Sequence, residues 1–301
     1  MEHTPSYIQL FKSGELSKRL QFLEERITDC VLCPHKCRVD RTTSYNGFCE
    51  TGSLPLISSF HAHFGEEAPL VGSNGSGTIF FAGCNMRCIY CQNYEISHFR
   101  RGQEITYNAL ADMMIRLQEH GCHNINFVTP SHMIYQIVKA LIPAIEKGLH
   151  IPLVYNTGGY DDVTVLQAVE GVFDVYMPDF KYFDADAGYE LSGISDYPET
   201  AKRAITEMHR QVGNLKIQEN GIAYQGVLIR HLVLPQNKAQ TKSVLKFISQ
   251  ISKDSYINLM SQYHPEYHAY NCKPLQNQVS VEEFREMYKY AKELGFYRFA
   301  P

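Results

Sequence analysis

Cys84, Cys88 and Cys91 stand in a C-x3-C-x2-C pattern within GCNMRCIYCQN, which begins at Gly83. Three thiolates can hold three irons of a [4Fe-4S] cubane and leave the fourth iron without a protein ligand. An open position on a redox-active cluster is a place for chemistry rather than for structure. Two plainer readings share the spacing. Intervals of four and three also put residues on one face of a helix, which suits three buried structural cysteines, and three Cys completed by a His or a fourth Cys can hold zinc.

A second group, Cys30, Cys33, Cys37 and Cys49, has two, three and eleven intervening residues. Pro34 and Gly47 supply the tight turns that let thiolates converge. Four thiolates close a tetrahedral structural zinc site or hold a second [4Fe-4S] cluster, and the spacing does not choose between them. His35 adds a further candidate ligand, and a cysteine-rich turn without metal is the remaining alternative. No helix in this short segment can build a core unaided, which favours a structural metal. Seven of the nine cysteines lie from Cys30 to Cys91. A disulfide framework fits poorly with an odd count and a chain long enough to bury its own core.

Something must position these groups. From Gly77 onward short apolar runs alternate with stretches of helical period, the pattern of parallel strands joined by crossover helices. Strands are expected at TIFFAG from Thr78, NINFVTP from Asn124, PLVYNT from Pro152, DVYMPD from Asp174, VLIRHLVLP from Val227 and INLMSQY from Ile257. Helices are expected near Asn108 to Glu119, Met133 to Glu146, Asp162 to Val169, Glu199 to Val212, Ala239 to Ile251 and Val281 to Leu294. Six β-then-α units suit a complete or partial (β/α) barrel better than a doubly wound sheet. The cysteine loop then follows the first strand at its C-terminal end, where barrels of this kind carry their active sites. An amphipathic helix over Glu15 to Thr28 and the cysteine-rich turns form a separate N-terminal module, so the expected division is residues 1–70 and residues 71–301.

Composition narrows the function classes. The 301 residues are 44% hydrophobic and 20% charged, which is ordinary for a globular protein. Lys and Arg number 28 against 32 Asp and Glu, a net charge of -4. That balance gives no electrostatic footprint for nucleic acid or an anionic membrane. No apolar run reaches the roughly 18 to 20 residues that span a bilayer, and the first residues lack the basic-then-apolar order of a signal peptide. The expectation is a cytoplasmic protein.

With Tyr90 before its third cysteine, the C-x3-C-x2-C motif resembles the signature of the radical S-adenosylmethionine (radical SAM) enzymes. The lead-in HFGEEAPLVGSNGSGTIFFAG extends the resemblance to the PflX-like branch of pyruvate formate-lyase activating enzyme homologues. The resemblance implies a partial (β/α)6 barrel in which SAM chelates the open iron through its amino and carboxylate groups. A one-electron reduction of the sulfonium then yields a 5′-deoxyadenosyl radical that abstracts hydrogen. It implies as partners SAM, reduced flavodoxin or ferredoxin as electron donor, and a protein or peptide as a candidate substrate.

Carried over to this chain, the resemblance makes Cys84, Cys88 and Cys91 the cluster ligands and Tyr90 either a packing partner of adenine or a core residue at the barrel mouth. Where relatives carry Gly-Gly-Glu for the SAM amino group, this chain has Thr129-Pro130-Ser131-His132. Strand-end carbonyls or the Thr129 and Ser131 hydroxyls would have to take that role. Asn156 can bond a ribose and Gly158-Gly159 allow close backbone approach, although a plain strand-to-helix turn reads the same. Asp179 and Lys181 resemble a D-x-K segment after the fourth strand. Two apart on extended chain, they point to one side, as an ion pair or substrate contact inside the mouth or as a solvated rim pair. Alternation sends one of Arg230 and His231 inward, and Arg230 is the expected inward residue, as a carboxylate or substrate contact. The run from Gln262 to His268 is a candidate lining for the opening. A noncatalytic iron–sulfur electron carrier, or a zinc-stabilised interaction protein, is the reading from a different class.

Overall fold

The computed structural model describes residues 4–300. Among them nine strands join one sheet: β1 (Leu56–His63), β2 (Ser76–Phe81), β3 (Gln103–Glu104), β4 (Ile125–Val128), β5 (Leu153–Thr157), β6 (Val175–Pro178), β7 (Lys216–Ile217), β8 (Ala223–Leu232) and β9 (Tyr256–Met260). Six of these, in the order β2-β4-β5-β6-β8-β9, run parallel. They coincide with the six apolar runs expected from the sequence, and the helices at Tyr107–Glu119, Ile134–Glu146, Val163–Ala168, Tyr197–Val212, Thr241–Ile251 and Val281–Glu293 match the six expected crossovers. The chain is a partial (β/α)6 barrel with a cysteine-rich N-terminal segment.

Side-chain period explains the barrel's two layers. Tyr155, Tyr176 and Ile229 face outward into the large core under the helices. Their neighbours Val154, Val175, Met177 and Leu228 face inward around Leu70. Parallel strands buried on both faces must be apolar on both, and these strands are. Two residues further along β5 and β8 the inward positions turn polar, at Asn156 and Arg230. The helix starts are set by local chemistry: the Thr106 hydroxyl accepts from Ala109 N at 3.1 Å, and Ser280 and Glu283 form a reciprocal capping box.

β1 and the helices Ala185–Ser192 and Ser6–Lys12 have no counterpart among the expected elements, whereas the helix Glu15–Ile27 is the amphipathic helix expected over Glu15 to Thr28. β1 pairs antiparallel with β2, extending the sheet beyond the six-strand set, although it lies before residue 71. Its sequence, LISSFHAH, mixes Ser and His into the pleat, and a strand half open to solvent, covered by β3 only at Leu56 and Ile57, needs no continuous apolar run. The helix Ala185–Ser192 carries Gly188 where a Cβ would lie 2.4 Å from the Ile194 carbonyl, a close packing that weak helix propensity does not announce. The helices Ser6–Lys12 and Glu15–Ile27 dock on the outside of the barrel, where Tyr7 OH donates to Ile151 O at 2.9 Å and Arg19 to Ala168 O at 2.8 Å.

Gly226 opens the inward course of β8 at φ +120°, and a Cβ there would stand 2.4 Å from the Asn214 carbonyl. Backbone rather than a flexible side chain blocks it, so Gly226→Ala should lower unfolding free energy by about 2 kcal/mol or more. Urea denaturation followed by circular dichroism reads this. An unchanged midpoint would mean that the β8 backbone has another conformation available.

Candidate active site

The cysteine loop leaves β2 at Gly83, whose φ of +81° and crowded surroundings exclude a side chain: a Cβ would meet the Cys49 carbonyl at 3.1 Å. From there the loop is tied down on several sides. Asn85 Nδ2 donates to Tyr160 O at 2.7 Å beyond β5, Ile89 N to Leu191 O at 2.9 Å, and His268 N to Ile89 O at 2.8 Å. The three sulfurs receive hydrogen bonds rather than apolar walls. Ser192 Oγ donates to Cys88 Sγ at 3.2 Å, Met86 N to Cys84 Sγ at 3.2 Å, and Ser97 Oγ lies 3.2 Å from Cys91 Sγ. Donors aimed at sulfur suit thiolates bound to metal. Burial, with Cys88 nearby, pushes the Cys84 thiol up to about 12 and raises Cys91 as well. Three sulfurs so disposed fit the ligands of a [4Fe-4S] cluster.

Tyr90 is buried beside them. Its hydroxyl donates to Tyr182 OH at 2.8 Å, and its ring meets those of Tyr182 and Tyr263 edge-on. Thr129 sits at the end of β4 with φ +60° and its N–H on Asn156 O at 2.9 Å. The Ser131 hydroxyl turns inward to Thr157 Oγ1 at 3.0 Å. A Cβ on Gly158 would touch Met86 at 3.1 Å and one on Gly159 the Asp179 carbonyl at 2.2 Å, so the β5 end lies against both the cysteine loop and the β6 end.

Asp179 forms the centre of a buried ionic layer. Its Oδ2 accepts from Lys181 Nζ at 2.7 Å and its Oδ1 from Arg230 Nε at 2.8 Å, with side-chain exposures of 15, 20 and 17% for the three residues. They are not a solvated rim pair. Burial pushes the Asp179 carboxyl up, and Arg230 and Lys181 together outweigh it and hold it below its ordinary value. Arg230 also donates through Nη2 to Asn156 Oδ1 at 2.7 Å and approaches Glu66 at 3.4 Å. Asn156 is thereby spent on the layer. His231, its neighbour on β8, points the other way and bonds Thr241 Oγ1 at 2.9 Å. Alternation along the strand separates the two.

Glu66 and Glu67 belong to this layer and were not among the expected residues. They sit in the turn after β1, which carries them into the barrel, and two adjacent carboxylates between Gly65 and Pro69 were the only signal in the sequence. Gln262 lines the cleft beside them, while Tyr263 is buried with its hydroxyl on Leu275 O, and Tyr267 stacks on Tyr94 above the cysteine loop.

The four N-terminal cysteines lie against the same loop. His35 Nε2 bonds Asn85 O at 2.8 Å while its ring stacks on Phe48, and Glu50 pairs with Arg87 at 2.8 Å. Turns at Lys36 and Arg38 adopt positive φ without glycine and fold Cys30, Cys33 and Cys37 around Cys49. Beside them Arg41, 2% exposed, donates to neutral oxygens, Thr51 O and Oγ1, Gly52 O and His132 O, and also approaches Cys30. No carboxylate pairs with it among the described residues. A buried cation needs an anion. A metal bound by thiolates carries negative charge and would supply that anion.

Burial raises Glu66 from 4.5 to about 7, with Arg230 opposing and Glu67 and Asp179 adding to the rise. A raised carboxyl holds its proton more tightly when folded, so its contribution to stability is present below about pH 4.5 and lost as pH climbs through 7. Glu66→Gln, neutral throughout, removes that loss. The unfolding free energy of the unaltered protein relative to Glu66→Gln should fall by ~3 kcal/mol across this window, read by urea titrations at several pH values. A flat difference would return Glu66 to ordinary titration.

A family model described as the radical SAM superfamily matches residues 78–248. The chain is 30% identical over 295 residues to an uncharacterised protein of Methanocaldococcus jannaschii, covering 95% of this chain and 81% of that one. It is 24% identical over 248 residues to the pyruvate formate-lyase-activating enzyme of Clostridium pasteurianum, covering 77% and 97% respectively. A solved structure of native anSMEcpe with bound AdoMet aligns at a TM-score of 0.46 and 12% identity, over 72% of this chain and 61% of that one. No helix among the described residues is long and apolar enough to cross a membrane. With the family match spanning more than half of its length, the chain belongs to the radical SAM superfamily, whose members are enzymes that use SAM and an iron–sulfur cluster.

Proposed function

We propose that the chain is an activating-enzyme-like oxidoreductase in which Cys84, Cys88 and Cys91 ligate a [4Fe-4S] cluster that reductively cleaves SAM. The observation that supports this most is the joining of a three-cysteine loop, with hydrogen-bond donors aimed at its sulfurs, to a buried ionic layer at the same end of the barrel. When bound, cluster and SAM supply the electron and the 5′-deoxyadenosyl radical that abstracts a substrate hydrogen. The protein's part is to position, to hold charge and to keep water out.

In this reading Thr129, Gly158 and Gly159 form the SAM-facing strand ends, where missing or short side chains let backbone approach the ligand. Ser131 and Asn156 are positioning residues, the first through Thr157 and the second through Arg230. Tyr90 holds the cysteine loop through Tyr182 and leaves adenine to the rim above it. Asp179 and Lys181 present fixed opposite charges to SAM or substrate, and Arg230 fixes Asp179. The Cys30, Cys33, Cys37 and Cys49 group holds a second metal, zinc or a cluster, whose negative charge balances Arg41. Reduced flavodoxin or ferredoxin is the electron donor, and a protein or peptide radical the candidate product, as in pyruvate formate-lyase activation.

Anaerobically reconstituted protein, reduced in the presence of SAM, should form 5′-deoxyadenosine. Replacing Cys84, Cys88 and Cys91 together by Ala should abolish this and remove the corresponding iron and sulfide, leaving metal on the N-terminal group. Unchanged iron and turnover would overturn the cluster assignment. A folded but metal-free triple variant would overturn the second centre.

Asp179→Asn and Lys181→Met should keep the cluster yet slow 5′-deoxyadenosine formation by tenfold or more. Losing one buried charged hydrogen bond costs about 1.5 to 3 kcal/mol, and about 1.4 kcal/mol is tenfold in rate. Cluster content by absorbance and product by chromatography check it, and full cluster with unaltered rates would remove both residues from the reaction.

A further inference from the structure

The ionic layer is one positive charge short. Three carboxylates, Asp179, Glu66 and Glu67, face two cations, Lys181 and Arg230. Asp179 takes the best of both cations, at 2.7 and 2.8 Å. Glu66 is left with Arg230 Nη1 at 3.4 Å, Asn156 Nδ2 at 3.5 Å and the Glu67 carboxyl at hydrogen-bonding range, a contact between two acids that raises Glu66, and Glu67 Oε1 with Asn258 Nδ2 at 2.8 Å and Arg230 Nε at 4.0 Å. Among the described residues Glu67 Oε2 is buried with no hydrogen-bond partner, on a side chain only 4% exposed. An unpaired buried carboxylate oxygen is costly, and native structures keep such groups where something else completes them.

Both glutamates line a cleft of about 550 Å³ together with Arg230, Asn258, Met260 and Gln262. Cys84, Cys88 and Cys91 are absent from its wall. We propose that this cleft binds the substrate through an organic cation, an alkylammonium or guanidinium group, whose N–H donors pair with Glu67 Oε2 and Glu66. The chemistry follows from what is missing, since the orphan is an anionic acceptor and its complement is a charged donor. The size of the cleft favours an organic cation over a bare metal ion, and the acidic side chains on its wall are two, Glu66 and Glu67, with no His or Cys beside them. Met260 and the stem of Gln262 offer contact for a carbon chain behind the charge. Glu66, raised by burial to about 7, fits a layer that takes up a proton when no other cation is present. The inference rests on the barrel being the catalytic chamber, and it names the substrate's charge within it.

Binding to the reconstituted protein can be measured without turnover, using n-butylammonium chloride, n-butanol and sodium butyrate as probes in calorimetric titrations. Saturable binding of one n-butylammonium, at least tenfold tighter than n-butanol and with no binding of butyrate, is expected for the unaltered protein. Glu67→Gln should weaken n-butylammonium at least tenfold while cluster content and SAM affinity hold. Equal binding of n-butylammonium and n-butanol to the unaltered protein would overturn the proposal even where the variant fails to fold. So would a Glu67→Gln variant that loses SAM affinity tenfold instead, since the pair would then hold SAM's own amino group. Absence of 5′-deoxyadenosine formation with n-butylammonium binding intact would fault the catalytic reading and leave the cation site standing.

Discussion

A carboxylate buried between two cations holds the catalytic end of this barrel together. β6 and β8 pair directly at only two positions, Val175 with Gly226 and Tyr176 with Val227, before their ends separate. Past that point the strands stay in register through the Asp179 to Arg230 bridge, the bond from Phe180 N to Arg230 O at 2.9 Å, and the ion pair above it. Lys181 adds the second cation, and the Tyr197 hydroxyl accepts from its N–H at 2.8 Å while standing 3.0 Å from the Gly158 and Asp179 carbonyls. Buried charge is tolerated because each partner lowers the cost of the other, and removing any one leaves an uncompensated ion. The layer therefore fixes β5, β6 and β8 relative to one another at the level where the cysteine loop emerges.

That loop is fixed from the opposite side by the N-terminal segment. Arg41 reaches from the cysteine-rich turns to the carbonyl of His132, and His132 in turn bonds Ala82 O, one residue before Gly83. His35 and Glu50 hold Asn85 and Arg87 within the loop itself. The two cysteine groups are thus joined by hydrogen bonds and an ion pair, and a change of charge at one acts on the other over a short distance and through little water. Among the described residues Arg41 has no carboxylate partner, and Cys30 lies close enough to feel its charge.

The order of the fold was legible because burial writes directly into sequence. Val154, Val175, Met177 and Leu228 must be apolar inside the barrel and Tyr155, Tyr176 and Ile229 apolar outside it, and continuous apolar runs betray such strands wherever they occur. β1 escaped this signal because it is half open to solvent, and the helix Ala185–Ser192 because Gly188 serves close packing rather than helix propensity. Local period also separated Arg230 from His231, since neighbours on a strand face opposite ways. Hydrogen bonding across the fold was not legible: Asn156 reads alone as a free amide, and only the arrival of Arg230 and Glu66 from distant strands engages it.

By itself, the sequence determined the family through three cysteines at a spacing that few other chemistries require, together with the number and order of parallel strands that carry them. It also paired Asp179 with Lys181, because residues two apart on extended chain share a face. Tertiary structure alone decided that Glu66 and Glu67 enter the barrel, that Arg41 stands beside the first four cysteines, and that the two cysteine groups touch. Glu66 meets Arg230 across 164 positions and His35 meets Asn85 across 50, in a medium of low dielectric where a charge without a partner is expensive and its partners cannot be read from local spacing.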